Sequence, residues 1–93
     1  MIKRISLNRC QVVTIDDIHK TLITARQGYD FCKYTLYNGI FLSVEFHRDN
    51  TVELVTNSRD MLLIREMEVI RRLPYRIDTL EKFLFRWIVK LNR

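Results

Sequence analysis

The spacing of apolar residues predicts a helix near the start of the chain. Over residues 15–26 apolar side chains recur three and four positions apart, as on one face of a helix. Thr14 is a good N-cap residue, and Asp16 and Asp17 place negative charge at the positive end of the helix dipole. Gly28 then supplies a stop, so a helix over about 15–26 is predicted.

The residues ahead of this helix alternate less regularly between apolar and polar types. Their apolar positions nevertheless suit one or two short strands, and these positions are Ile2, Ile5, Leu7, Val12 and Val13. An extra N-terminal strand is therefore part of the prediction.

The pair Asn38-Gly39 marks a hairpin, because both central residues of a type I′ turn need a positive φ. A two-residue turn at this position pairs Thr35 with Leu42 and Lys33 with Val44. In this pairing the side chains that face the core are those of Phe31, Lys33, Thr35, Tyr37, Ile40, Leu42, Val44 and Phe46. The opposite face would carry Cys32, Tyr34, Leu36, Phe41, Ser43, Glu45 and His47.

A second turn, at residues 48–50, returns the chain into a third strand. A three-residue loop puts Val52 and Leu54 on the core face, whereas a two-residue loop would put Glu53 there. The three-residue loop is therefore predicted, and Asn50 can take the left-handed conformation that it requires.

Two helices complete the pattern. Asn57 or Ser58 can cap a helix over about 59–72, which Pro74 ends. Asp78 can cap the last helix. The apolar stripe of that helix is the most regular in the chain and contains Leu80, Phe83, Leu84, Trp87, Ile88 and Leu91.

These elements predict a single α+β domain over residues 1–93, with an N-terminal helix, a three-stranded antiparallel meander and two C-terminal helices.

Hydrophobic residues form 47% of the chain and charged residues 29%, which excludes the disordered and low-complexity classes. No apolar run approaches the about 18 residues of a membrane span, and no signal-peptide core follows the first residues. A cytoplasmic protein without membrane contact is expected.

The net charge of +5 is unevenly distributed along the chain. Residues 58–93 hold nine of the sixteen basic side chains and five of the eleven acidic ones. Such an excess favours a polyanionic partner, although a solubilising helix surface would carry the same charges. The residues expected to bind that partner are Arg71, Arg72, Tyr75, Arg76, Lys82, Arg86 and Lys90.

A second candidate surface is aromatic and apolar. The predicted hairpin register puts Tyr34, Leu36 and Phe41 together on the outer face of the sheet. If that face is open, these residues form an interface or a base-stacking patch, and if another element covers it, they belong to the core.

Catalytic chemistry is not indicated by the sequence. Glu45, Glu53 and His47 would lie close together in the predicted sheet, but an exposed pair balanced by an arginine is commoner than a metal site. Cys10 and Cys32 lack metal-ligand spacing and suit small buried positions. With two glycines in the chain a phosphate-binding loop is excluded, so no enzyme activity, metal or cofactor is expected.

Two hypotheses for the function follow. The first is a non-catalytic, small basic protein that binds nucleic acid or a nucleoprotein complex through its Arg-rich C-terminal helices. The alternative is a small protein-binding regulator or inhibitor, of the kind that a phage or mobile element encodes, acting on a host protein complex. Both leave homo-oligomer formation open.

Overall fold

A computed structural model describes residues 5–8, 14–36 and 38–91 of the chain. The elements in these ranges, in chain order, are β1 (Ile5–Asn8), α1 (Ile15–Gln27), β2 (Phe31–Thr35), β3 (Phe41–Phe46), β4 (Val52–Thr56), α2 (Met61–Arg72) and α3 (Ile77–Leu91). The predicted order of helix, antiparallel meander and two helices is confirmed, and so is the α+β class. Part of the predicted N-terminal strand is present as β1, whereas Ile2, Val12 and Val13 lie outside the described residues.

The four described strands form one sheet in the order β1-β2-β3-β4. β1 pairs with β2 in parallel, and the other two pairs are antiparallel. Parallel neighbours cannot be joined by a tight turn, so α1 serves as the crossover between β1 and β2. α1 packs on β2 and β3, α3 packs against α1, and α2 packs on β4.

The start of α1 is fixed by a reciprocal capping box between Thr14 and Asp17. The Thr14 hydroxyl accepts the Asp17 backbone N–H at 3.2 Å, and the Asp17 carboxylate accepts the Thr14 backbone N–H at 3.1 Å. The Thr14 backbone N–H and the Thr14 hydroxyl, which donates at 2.9 Å, both bond to the Asp17 carboxylate and lower its pKa. The predicted N-cap is thus confirmed, and α1 ends at Gln27, directly before Gly28.

The predicted register of the β2–β3 hairpin is wrong by one residue. The Leu36 N–H donates to the Ile40 carbonyl at 2.8 Å, and the Gly39 N–H donates to the Leu36 carbonyl at 3.0 Å. The connection therefore has three residues instead of two. Gly39 has a φ of +83°, as the last residue of such a loop requires. Lys33 consequently lies opposite Ser43.

This shift turns β2 over relative to the prediction, because neighbouring residues of a strand point to opposite faces. The core face of β2 and its extension carries Cys32, Tyr34 and Leu36, which are all buried, while Lys33 lies on the other face. The observed register buries two large side chains and a thiol, whereas the predicted one would have buried the Lys33 ammonium. Tyr37 lies outside the described residues.

The predicted register of β3 and β4 is confirmed. Phe46 lies opposite Val52, and Val44 lies opposite Leu54. All four side chains are buried. Asn50 has a φ of +67°, the left-handed conformation expected of it.

The predicted caps of the last two helices are wrong. Asp60 is the N-cap of α2, because its carboxylate accepts the Leu62 and Leu63 backbone N–H groups at 2.9 and 3.3 Å. Of the predicted caps, Asn57 instead accepts the backbone N–H of Phe41. The other predicted cap is part of the approach to α2, where the Ser58 hydroxyl accepts the Asp60 N–H. α3 begins at Ile77, which puts Asp78 inside its first turn.

The inward faces of α2 and α3 agree with the prediction. Their buried residues join one core cluster with the sheet, and these are Leu63, Met67, Ile70, Leu80, Phe83, Leu84, Trp87 and Ile88. The far end of α3 meets the β2–β3 connection, where the Asn38 side-chain amide donates to the Leu91 carbonyl at 3.1 Å. Within the ranges given above, no helix has the length and apolar character needed to span a membrane.

Candidate partner-binding surface

Arg71, one of the predicted binding residues, is engaged with the edge of the sheet. Its Nε lies 3.3 Å from the Glu53 carboxylate, and its guanidinium also donates to the Leu54 carbonyl. β4 is the last strand of the described sheet, so Arg71 occupies a backbone acceptor on an edge strand. Arg71 therefore links α2 to β4.

Arg86 and Lys90 gather around Trp87 on α3. Glu66 of α2 accepts a hydrogen bond from the Trp87 indole N–H at 2.7 Å and pairs through its other oxygen with Arg86. The Lys90 ammonium lies 4.6 Å from the centroid of the Trp87 ring, within range of a cation–π interaction. Arg86 therefore links α3 to α2 through Glu66, whereas Lys90 contacts Trp87 of its own helix.

Arg76 and Tyr75 lie in the turn between α2 and α3, and both have partners in the chain. The Arg76 Nε is 3.3 Å from the Asp78 carboxylate, with both side chains largely exposed. The Tyr75 ring packs edge-to-face on Phe46 at a centroid distance of 5.3 Å. Tyr75 is thus half-buried against the core, which leaves little of its ring for stacking on a base.

Arg72 and Lys82 differ from the other predicted cations. Both are exposed, and neither forms an ion pair within the part of the chain that the structure describes. Arg71 and Arg72, although adjacent, serve different sides of α2, because Arg71 contacts β4 and Arg72 faces solvent. The seven predicted residues therefore lie in four different surroundings: the edge of the sheet, the contact between α2 and α3, the turn between these helices, and solvent-exposed helix surface.

Tyr34, Leu36 and Phe41 do not share one face of the sheet, because the hairpin register differs by one residue from the predicted one. Tyr34 and Leu36 are buried in the core, and the Tyr34 hydroxyl contacts the Thr21 hydroxyl. Phe41 lies on the opposite face of the sheet, where the Lys33 ammonium sits 4.3 Å from its ring centroid.

Of the residues considered for catalysis, Cys32 is buried, Glu45 and Glu53 lie in neighbouring strands, and Cys10 lies outside the described residues. Burial raises the pKa of the Cys32 thiol from 9.0 to about 11, so the thiol is protonated at neutral pH. Glu45 and Glu53 do lie opposite each other, as predicted. No group of three His, Cys, Asp or Glu side chains in the described ranges is placed to hold a metal ion.

The structure presents a surface on α2 that the sequence analysis did not single out. Leu62, Val69 and Leu73 are spaced seven and four residues apart and therefore follow one another along the same side of the helix. Their exposed fractions are 62%, 58% and 59%. Leu63, Met67 and Ile70 form the buried side of α2, so this helix has a second apolar stripe that faces solvent. The sequence contains the signal for it, because its apolar residues are too many for one face.

Two arginines accompany the exposed stripe. Arg65 and Arg72 each follow a stripe residue by three positions, and both side chains are exposed. Neither has an ion-pair partner among residues 14–36 and 38–91. The surface made of Leu62, Arg65, Val69, Arg72 and Leu73 is called the α2 outer face below.

A small cavity continues the α2 outer face at the corner between α2 and α3. Its volume is about 150 Å³. Its lining consists of Ile70, Leu73, Pro74, Tyr75, Arg76, Thr79 and Leu80. Leu73 belongs to both features, so this corner cavity and the exposed stripe form one continuous surface.

No family model, no curated protein and no solved structure matches this chain. The function must therefore follow from the chemistry of the surface itself.

Proposed function

We propose that the protein is a non-catalytic binding module that acts on a protein partner through the α2 outer face. The observation that carries this proposal is the run of three large apolar side chains, each more than half exposed, beside two arginines without a carboxylate. Exposed apolar side chains rimmed by charge are characteristic of protein interfaces, and arginine is enriched in them. Glu66, which pairs with Arg86, separates Leu62 from Val69 on this side of α2.

The size of the corner cavity also favours a macromolecular partner. At about 150 Å³ it is smaller than the roughly 300–1,000 Å³ of most substrate and cofactor sites. A cavity of this volume suits one side chain of a partner better than a whole metabolite. Interfaces commonly gain much of their affinity from one such buried anchor.

Nucleic acid or a nucleoprotein complex is the second candidate partner. The net charge of +5 and the exposed cations Arg72 and Lys82 support it. Arg71, Arg76 and Arg86 support it less, because each already pairs with a carboxylate of the same chain. The Arg76 pair is exposed and therefore weak, so a phosphate could still compete for that arginine.

Capture experiments with matched variants test the proposal. The immobilised protein is incubated with nuclease-treated lysate of the cells that produce it, and the bound proteins are identified. Val69→Glu is the test variant. Val89→Glu is the control, because Val89 is also an exposed helical valine (45% exposed) but belongs to α3. We expect a partner that the wild type and Val89→Glu retain and Val69→Glu loses.

Two results would contradict this function. One is a wild-type protein that captures no partner, and the other is equal capture by Val69→Glu. The nucleic-acid candidate is tested separately by filter binding to duplex DNA and single-stranded RNA at rising salt. Phosphate contacts release counterions, so binding that weakens steeply with salt would favour nucleic acid, and absent binding would remove it.

A further inference from the structure

Building on the proposed function, we infer the chemistry of the partner: an acidic segment with one large apolar side chain. That side chain occupies the corner cavity, and carboxylates elsewhere along the segment pair with Arg72 and Arg65. Three features of the surface support this partner: its unpaired charges, the shape of the corner cavity, and its length.

Among the described residues, the unpaired charges on this side of α2 are those of Arg65, Arg72 and Glu68, and their sum is +1. Arg71, Arg76 and Arg86 each have a carboxylate within 4 Å, whereas Arg65 and Arg72 have none within the described ranges. Glu68 lies between these two in sequence, on the same helix, yet forms no ion pair with either. Two guanidinium groups beside an apolar stripe complement a segment that combines carboxylates with apolar side chains.

The corner cavity has the properties of a site for one anchor residue. A cavity of about 150 Å³ whose walls are mostly apolar, with Arg76 and Thr79 among them, can hold a group as large as benzene. Ile70 and Leu80 form buried walls, and Pro74 restricts the backbone of the turn. Tyr75 is held by its edge-to-face contact with Phe46. Because these walls are held in place before binding, little order is lost when a side chain enters.

The length of the surface limits the segment that can cover it. Leu62, in the first turn of α2, and Leu73, the C-cap of this helix, are eleven residues apart, which corresponds to about 16 Å along the helix axis. A helical partner segment needs about eleven residues to follow it, and an extended one needs about five. A short linear segment of a partner is therefore sufficient.

Selection from a display library of random 16-residue peptides tests this inference on the full chain. We expect enrichment of peptides that combine several Asp or Glu with one Phe, Trp, Leu or Met. Selected peptides, measured by fluorescence anisotropy, should bind Leu73→Glu and Arg72→Glu at least about tenfold more weakly than the wild type. Val89→Glu should bind them with unchanged affinity. Arg72→Glu used as the bait should shift the selection toward basic peptides.

Several outcomes would overturn the inference. They are a selection that enriches nothing, enriched peptides that are basic or uncharged, and peptides that bind Leu73→Glu as well as the wild type. Binding to anionic phosphatidylglycerol vesicles or to duplex DNA that Arg72→Glu abolishes would equally assign the face to another ligand. If the capture experiment identifies a Val69-dependent partner but the selected peptides are not acidic, the proposed function stands and only this inference fails.

Discussion

Glu66 holds two helices together through the only tryptophan of the chain, and its removal offers a direct test of that contact. Trp87 is 3% exposed, and its indole N–H donates to Glu66 at 2.7 Å. Glu66→Ala removes the acceptor and leaves a buried N–H donor without a partner. It also frees Arg86 from its ion pair.

The expected loss of stability follows from these two contacts. A hydrogen bond to a charged group contributes about 1.5–3 kcal/mol, and a buried donor left unpaired has a comparable cost. The largely exposed Arg86 pair adds less than about 1 kcal/mol. We therefore expect Glu66→Ala to lower the free energy of unfolding by about 2 kcal/mol, which for a domain of this size lowers the Tm by roughly 8–16 °C.

Urea unfolding followed by tryptophan fluorescence measures this effect, because Trp87 is the sole tryptophan and reports on its own environment. Glu66→Gln keeps an acceptor oxygen but loses the charge, so it should cost less than Glu66→Ala. Arg86→Ala tests the ion pair alone and should cost least. A Glu66→Ala protein within about 0.5 kcal/mol of the wild type, with unchanged emission, would refute the role given to this hydrogen bond.

Three further predictions concern the rest of the fold. Because burial raises the pKa of Cys32 from 9.0 to about 11, its stabilising effect is complete below pH 9 and falls as the pH rises toward and past 11. The unfolding free energy of the wild type relative to Cys32→Ala should therefore drop by about 2 kcal/mol between pH 8 and 11, and a constant difference would contradict the burial of the thiol. Arg71→Ala uncovers the β4 edge and should promote self-association in light scattering, whereas Arg72→Ala, with the same charge change, should not. Gly39→Ala should cost about 1–2 kcal/mol by denaturation because of its φ of +83°, and Gly28→Ala, at a φ of −97°, should cost clearly less.

Local sequence patterns predicted most of the elements, because helix repeats and caps depend on neighbouring residues. The Thr14 cap and the stripe of α3 are of this kind. The β3–β4 register was also accessible, since the alternative would have buried Glu53. Avoiding a buried Lys33 would have given the correct β2–β3 register in the same way. The prediction instead followed the preference of Asn38-Gly39 for a two-residue turn.

Long-range pairing was beyond the reach of the sequence. Nothing in residues 5–8 indicates that they join β2 in parallel, because that contact depends on the crossover through α1. The ion pairs of Arg71 with Glu53 and of Arg86 with Glu66 likewise join different elements. The sequence gives the number of charged side chains, but only the fold determines which of them form ion pairs with one another.

This distinction changes which arginines can attract a partner. The sequence gathers basic residues after α2 and along α3, yet the packing of α2 on β4 and the side-chain contact between α2 and α3 place carboxylates beside Arg71 and Arg86. A partner carboxylate would have to displace these internal ones before it could bind. At Arg65 and Arg72 nothing has to be displaced, and the apolar stripe beside them gains from losing its contact with water. In the proposed function, charge and apolar contact act together on the outer face of α2, and we expect a partner that uses both to gain more there than at the edge of β4.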